Sequence, residues 1–258
     1  MKLFFRKYGQ GQPIIILHGL FGASDNWQTL GKKLAENYEV YLVDLRNHGH
    51  SPQSEIWNYE VMSADLLELI NDEKIQNPIV IGHSMGGKAA MYFALQHPDK
   101  VKKLVVIDIS PKFYAVHHQQ ILDALQAVDL EKMTSRKQAE EIISKFISDV
   151  STKQFLLKNL YWREDAPDKL AWRFNLNVIA KNINEVGMET PLPKKPLENL
   201  STLFIRGEKS HYISESDFEL VKKYFFDVEI KTISGAGHWI HADQPQQSYD
   251  VLIAFFTA

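Results

Sequence analysis

The chain contains no cysteine among its 258 residues. That excludes a disulfide framework, a thiolate zinc site and a cysteine nucleophile together. It also lacks any apolar stretch approaching the length of a membrane span. The opening residues Met1-Lys2-Leu3-Phe4-Phe5-Arg6-Lys7 do not make the apolar run of a secretory signal, because Arg6 and Lys7 interrupt it. Cytoplasmic residence without a membrane partner is the resulting expectation. Charge of one sign is missing too: 29 basic against 32 acidic residues leave a net charge of −3, so nothing electrostatic calls for nucleic acid. No Gly-x-Gly-x-x-Gly follows a strand and no carboxylates stand at metal-ligand spacing, so neither a dinucleotide nor a metal is expected. Internal repeats and low-complexity segments are absent. What remains is a composition 45% hydrophobic and 24% charged, that of a globular chain long enough to bury one large core.

Short, wholly apolar runs alternate with helical periodicity, which predicts a mostly parallel central sheet flanked by helices. The runs are Ile14–Leu17, Val40–Val43, Pro78–Ile81, Leu104–Ile107 and Leu203–Ile205, with Val228–Lys231 as the last strand. Helices are expected from Ser24 or Asp25 to about 36, over about 60–72, after residue 84, and over about 244–256. Between Pro111 and Pro196 the pattern changes. No buried-strand run occurs there, helical periodicity dominates, and aromatics gather at Phe113, Tyr114, Phe146, Phe155, Tyr161, Trp162, Trp172 and Phe174. Residues 1–110 and 197–258 therefore read as an α/β core, and 111–196 as a helical cap laid over the C-terminal edge of the sheet, where ligand sites form in such folds.

The most informative segment is Gly82-His83-Ser84-Met85-Gly86-Gly87, set between the strand ending at Ile81 and a helical run starting at Lys88. A sharp strand-to-helix turn lifts the Ser84 hydroxyl clear of the sheet, and side chains at 82 and 86 would collide with neighbouring backbone. An ordinary glycine-rich turn with a capping serine would have the same letters. The strand before and the helix after favour a nucleophile.

A serine hydroxyl attacks only when a base takes its proton. His238 in Ser234-Gly235-Ala236-Gly237-His238-Trp239-Ile240-His241 follows the last strand and returns above the sheet beside the serine. Serine first and histidine near the end is the order of α/β-hydrolases. His241 reads as structural. An acid must orient the imidazole and stabilise its charged form. The usual Gly-x-x-Asp position reads Gly207-Glu208-Lys209-Ser210, with serine where the acid should stand. Asp108, at the end of the strand after the serine helix, is the favoured acid, and Glu208 the second choice. Asp217 is expected to be solvated on a helix.

The loop His18-Gly19-Leu20-Phe21-Gly22 is placed to aim an amide at a reacting carbonyl, which assigns the oxyanion hole to the backbone N–H groups of Leu20 and Met85. His18 reads as a structural hydrogen-bonding residue, and Asp44–Ser51 as scaffold with Asn47 and His48 as pocket contacts at most. The adjacent His117 and His118 are expected to diverge on a surface helix, and are not read as a metal site.

Taken together, the His-Gly-Leu-Phe-Gly loop at 18–22, Asp44-Leu45-Arg46-Asn47-His48-Gly49, Gly82–Lys88, Val106-Ile107-Asp108-Ile109-Ser110-Pro111 and Gly235–Ala242 resemble the bacterial YbfF-type esterases. These are relatives of the mitochondrial α/β-hydrolase domain-containing protein eleven. The resemblance spans nearly the whole chain. It implies a cofactor-free serine esterase acting on small-molecule esters of short to medium acyl chains, with acyl thioesters such as acyl-CoA as the nearest alternative. Serine in place of the usual acid is also a trait of that family. Carbon–carbon bond hydrolysis or elimination would need an anion clamp in the cap, for which Arg163 and Arg173 are candidates. A slow ligand receptor on the same fold is the remaining alternative.

Overall fold

In the computed structural model, which describes residues 1–258, the apolar runs line up as one seven-stranded sheet. The strands are β1 (Phe5–Tyr8), β2 (Gln12–Leu17), β3 (Tyr38–Val43), β4 (Ile79–His83), β5 (Lys103–Ile107), β8 (Thr202–Gly207) and β9 (Val228–Ile233), in the order β1-β3-β2-β4-β5-β8-β9. Every neighbouring pair is parallel except β1 with β3. β1 was not expected. Its Phe-Arg-Lys-Tyr sequence is that of an edge strand, with one row of backbone groups facing away from the sheet.

Because both faces are covered, alternation along a strand sorts side chains into two cores rather than into core and solvent. Ile15, Leu17, Val80, Val106 and Phe204 face one core, while Ile14, Ile16, Ile81, Val105 and Ile205 face the other. Each such side chain, fully removed from water, contributes roughly 1.5–3 kcal/mol. The second core is closed by α1 (Gln28–Leu34) and by α11 (Pro245–Thr257). The first is closed by α2 (Tyr59–Asp72) and α3 (Met85–Gln96), the former started by Asn58, whose side chain accepts from the Val61 amide at 3.0 Å. A 3₁₀ turn at Ser24–Trp27 precedes α1, so the helix is shorter than its sequence pattern suggests.

Residues 111–196 hold α4 (Gln119–Gln126), α5 (Arg136–Ile143), α6 (Val150–Leu157), α7 (Leu176–Lys181) and α8 (Asn184–Gly187). They also hold a hairpin, β6 (Leu160–Trp162) with β7 (Leu170–Trp172), which helical periodicity did not predict. Its buried Leu160, Leu170 and Trp172 join the first core together with Leu122, Leu125 and Leu156. The cap's interior is thus continuous with the packing over α2 and α3. At its root the incoming and outgoing stems are bonded to each other, Tyr114 N to Gly187 O and Thr190 N to Pro111 O, at 2.8 Å each. After β8 come α9 (Phe218–Lys222) and, beyond β9, α10 (Ile240–Asp243). No helix is long and apolar enough to cross a membrane.

Candidate active site

The C-terminal ends of β2, β4, β5 and β9 deliver the candidate residues to one edge of the sheet. Ser84 sits between β4 and α3 with φ of 52° and ψ of −117°, a backbone state that costs an ordinary residue energy. The close approach that makes this turn possible is visible at both glycines. A Cβ at 82 would fall 2.2 Å from the Gly86 carbonyl oxygen, and one at 86 would fall 2.4 Å from that of Leu17. The Ser84 amide is tied to Ile107 O at 2.9 Å, and Ser84 O accepts from Lys88 N at 3.0 Å. Its hydroxyl makes no hydrogen bond within the protein and opens onto a cavity of about 740 Å³.

His238 lines the same cavity. Its Nδ1 donates to Asp108 Oδ2 at 2.7 Å, and its carbonyl oxygen accepts from His83 Nε2 at 2.8 Å. The Nδ1 bond leaves Nε2 as the ring nitrogen free to accept a proton. Asp108 is fully buried, with φ of 52°, and its carboxylate is saturated. Oδ1 accepts from Gly207 N at 3.1 Å, while Oδ2 accepts from the Ser210 hydroxyl as well as from His238. Glu208 lies elsewhere, exposed, accepting from Gly235 N at 2.7 Å and Ser234 Oγ at 3.0 Å. Ser210 was missed as a partner, although it stands where the sequence pattern expected an acid. Tyr212, also missed, stacks on the His238 ring at 4.1 Å between centroids.

The loop after β2 crosses close over the serine: a Cβ at Gly19 would lie 3.3 Å from Ser84 Cβ. The amides of Leu20 and Met85 have no protein acceptor, the latter because it opens α3. Two buried histidines hold this loop in shape. His18 Nδ1 donates to Gly19 O at 2.8 Å and its Nε2 accepts from Leu45 N at 3.0 Å. His48 Nδ1 donates to Arg46 O at 2.9 Å and its Nε2 accepts from Phe21 N at 3.2 Å. Burial lowers His18 to about 4 and His48 to about 3, so both rings stay neutral. Asp44 accepts from Ser24 N and His50 N, and Arg46 forms a buried two-pronged pair with Asp65 at 2.6 and 2.7 Å. Asn47 and His48 are scaffold; neither lines the cavity.

Other expectations change. His117 and His118 do not diverge: their rings are 4.1 Å apart at the start of α4, both edge the cavity, and His117 Nε2 accepts from the Tyr212 hydroxyl at 2.6 Å while its Nδ1 donates to Ala115 O. Asp217 is buried rather than solvated, accepting from Lys112 Nζ at 2.7 Å and from Ser214. His241 stacks on Trp27 at 3.8 Å. Arg163 pairs with Asp165 on the surface, and Arg173 lies over Tyr161, so neither enters the cavity.

Ser84 and the His238–Asp108 pair thus meet at one cavity on the C-terminal edge of a mostly parallel sheet. The chain belongs to the α/β-hydrolase family, whose fold model matches residues 12–140. Within that family it has relatives named as esterases and lipases. It is 37% identical over 235 residues to the Escherichia coli esterase YbfF, covering 90% of this chain and 88% of that one. It is also 37% identical over 250 residues to the mouse sn-1-specific diacylglycerol lipase ABHD11, covering 94% of this chain and 80% of the relative. Among solved structures, a marine microorganism esterase superposes with a TM-score of 0.95 at 42% identity, covering 98% of this chain and 99% of that one. The protein is a hydrolase acting on esters.

Proposed function

We propose that this chain is a serine carboxylesterase working through Ser84, His238 and Asp108 by way of an acyl-enzyme. His238 Nε2 takes the hydroxyl proton as Ser84 Oγ bonds to the ester carbon, and the carbonyl π electrons move onto oxygen. The Leu20 and Met85 amides receive that oxyanion, an arrangement in which one donor is worth about 3–4 kcal/mol in a known case. Collapse expels the alkoxide, which takes the proton back from His238. Water then repeats the sequence on the acyl-serine and releases the acid. Asp108 fixes the proton on Nδ1 and stabilises the imidazolium while it exists. Residues 111–196 act as the cap that covers the site.

The observation that carries the reading is the 2.7 Å bond from His238 to a fully buried Asp108, with the unpartnered Ser84 hydroxyl opening into the same cavity. Neither arginine named for a carbon–carbon hydrolase or lyase lines that cavity, and Lys158 is the one cationic cap side chain of lysine or arginine type that does. The test is turnover of nitrophenyl and acyl-CoA esters by wild type, Ser84→Ala, Asp108→Asn and Glu208→Gln. Ser84→Ala should lose hydrolysis and fluorophosphonate labelling together. Asp108→Asn should lose a factor of about 10²–10⁴, and Glu208→Gln little. Retained activity in Ser84→Ala would refute the nucleophile, and the reverse order of the two acid variants would reassign the acid. The ratio of oxygen-ester to CoA turnover decides between esterase and thioesterase.

A further inference from the structure

Two cavities, not one, meet at Ser84. The first is the open cavity of about 740 Å³, bordered by His238, His83, Trp239, Phe155 and Ile121. The second lies against Met85, Ile109, Tyr114, Val116 and Val186, with a free volume of about 10 Å³. Ser84 borders both, whereas His238 borders only the large one. His117, His118 and Tyr212 edge each and form the partition.

We infer that the small cavity receives the acyl chain and the large one the alcohol, so that the preferred substrates are esters of short acids with bulky alcohols. This rests on the esterase reading above. In the tetrahedral intermediate the former carbonyl carbon carries four groups: Ser84 Oγ, the oxyanion, the leaving oxygen and the acyl chain. The oxyanion faces the Leu20 and Met85 amides. The leaving oxygen must take its proton from His238, so the alcohol departs through the cavity that His238 borders. The acyl chain is left with the cavity that touches Ser84 and not the base. Seven of that cavity's eleven lining residues are hydrophobic, which suits a hydrocarbon and not a polar alcohol.

Its size sets the chain length. A free volume of about 10 Å³ is that of one water-sized group, enough for the methyl of an acetyl and, with side-chain adjustment, a few carbons more. The walls resist wider opening because they are the two stems of the cap, pinned from several sides. Tyr114 N bonds to Gly187 O, and Tyr59 Oη donates to Val186 O at 2.7 Å. The Tyr114 hydroxyl accepts from Ser110 N at 2.9 Å and donates to Tyr212 O at 2.5 Å. From below, the buried Lys88 ammonium donates to the carbonyls of Pro111, Lys112 and Met188 at 3.1, 2.5 and 2.8 Å, binding both stems to α3. A long chain would have to break this set.

The experiment is a pair of substrate series on wild type, Val186→Ala, Val116→Ala and Phe155→Ala, read as kcat/KM. One series lengthens the acid of a nitrophenyl ester from acetate through butyrate to octanoate; the other enlarges the alcohol of an acetate from ethyl to naphthyl. Wild type should fall about tenfold or more from butyrate to octanoate while accepting naphthyl acetate at least as well as ethyl acetate. Val186→Ala or Val116→Ala should raise the octanoate-to-acetate ratio about tenfold, and Phe155→Ala should move the alcohol profile without moving that ratio. Octanoate turned over as fast as butyrate by wild type, or an acyl profile moved by Phe155→Ala and not by the valines, would overturn the assignment while leaving Ser84 chemistry intact. Absence of turnover on every ester, with no labelling of Ser84, would instead sink the esterase reading and this inference with it.

Discussion

Moving from about pH 8 to about pH 5 should cost this fold about 4 kcal/mol through two residues, His18 and His48. Each ring is buried and neutral, lowered by burial from 6.5 to about 4 and about 3 respectively. In the unfolded chain both take up a proton near 6.5. Between the folded and unfolded values the unfolded state therefore binds more protons, so stability is full above about pH 6.5 and falls as the pH drops through that window. At about pH 5 each histidine costs about 2 kcal/mol, since the unfolded ring is then almost fully charged and the folded one is not. The structure gives the reason. His18 Nε2 and His48 Nε2 are acceptors, of the Leu45 and Phe21 amides, and a proton on either nitrogen turns a bond into a clash of donors. His83, His118 and His241 are pushed down by burial too and act in the same direction. Urea unfolding followed by the fluorescence of the five tryptophans, at several pH values, measures the loss. His48→Gln, whose amide oxygen can still accept from Phe21 N, should show a shallower slope by about 2 kcal/mol over the same range. A wild-type loss under about 1 kcal/mol, or a His48→Gln slope equal to that of wild type, would refute this account of the loop.

Three further outcomes follow from single contacts. Arg46 and Asp65 are a buried pair, so Asp65→Asn should destabilise by about 3–5 kcal/mol, and Arg46→Met with Asp65→Leu should recover most of it in the same urea assay. Gly86→Ala, whose Cβ would meet the Leu17 carbonyl at 2.4 Å, should lower both the thermal midpoint and ester turnover, the latter more than about 100-fold; a variant with wild-type kcat would show that the turn can relax. Ser210→Ala removes one of three donors to Asp108 but leaves Gly207 N and His238, so kcat should fall only about tenfold with KM unchanged. Loss as deep as that of Asp108→Asn would make the serine a full partner in the site.

The strands were legible because each of the buried parallel ones is a run of aliphatic residues bounded by turn formers, and nothing else in the chain looks like that. β1 was not, since Phe5-Arg6-Lys7-Tyr8 alternates weakly and earns its place by pairing with β3 in register from Phe5 against Val43 to Tyr8 against Val40. The β6–β7 hairpin escaped for a related reason: three residues a side is too short for periodicity to declare itself. At the candidate site, the turns at Ser84 and in the Leu20 loop were legible locally, because adjacent glycines encode them. The partner of His238 does not. Whether Asp108 or Glu208 approaches the ring depends on how the loops after β5, β8 and β9 fold against one another, and Ser210 contributes to that only in three dimensions. Asp217 and the His117–His118 pair were misread for the same cause, as their neighbours, Lys112 and Tyr212, come from distant segments.

Where the chain is strained says as much as where it is polar. Six non-glycine residues have positive φ, and four of them, Phe21, Asn47, Ser84 and Asp108, surround the site. Each such residue costs about 1–3 kcal/mol and persists only where its surroundings leave no alternative. Those surroundings are specific. Phe21 is held by its amide on His48 and by its carbonyl accepting from Asn159 of the cap at 2.8 Å. Asn47 is clamped through its side chain to both backbone groups of Ser54, and its carbonyl accepts from the cap residue Asn175. Ser84 and Asp108 are each bonded to a neighbouring strand end, at Ile107 and Ile205. Two of the four strained positions are thus fixed by the cap and two by the sheet. Residues 111–196 hold the loop that carries the proposed Leu20 donor as well as lining the cavities. Loosening residues 111–196 should therefore weaken the proposed Leu20 donor even where no substrate contact is lost, because Phe21, the next residue, would lose its bond from Asn159.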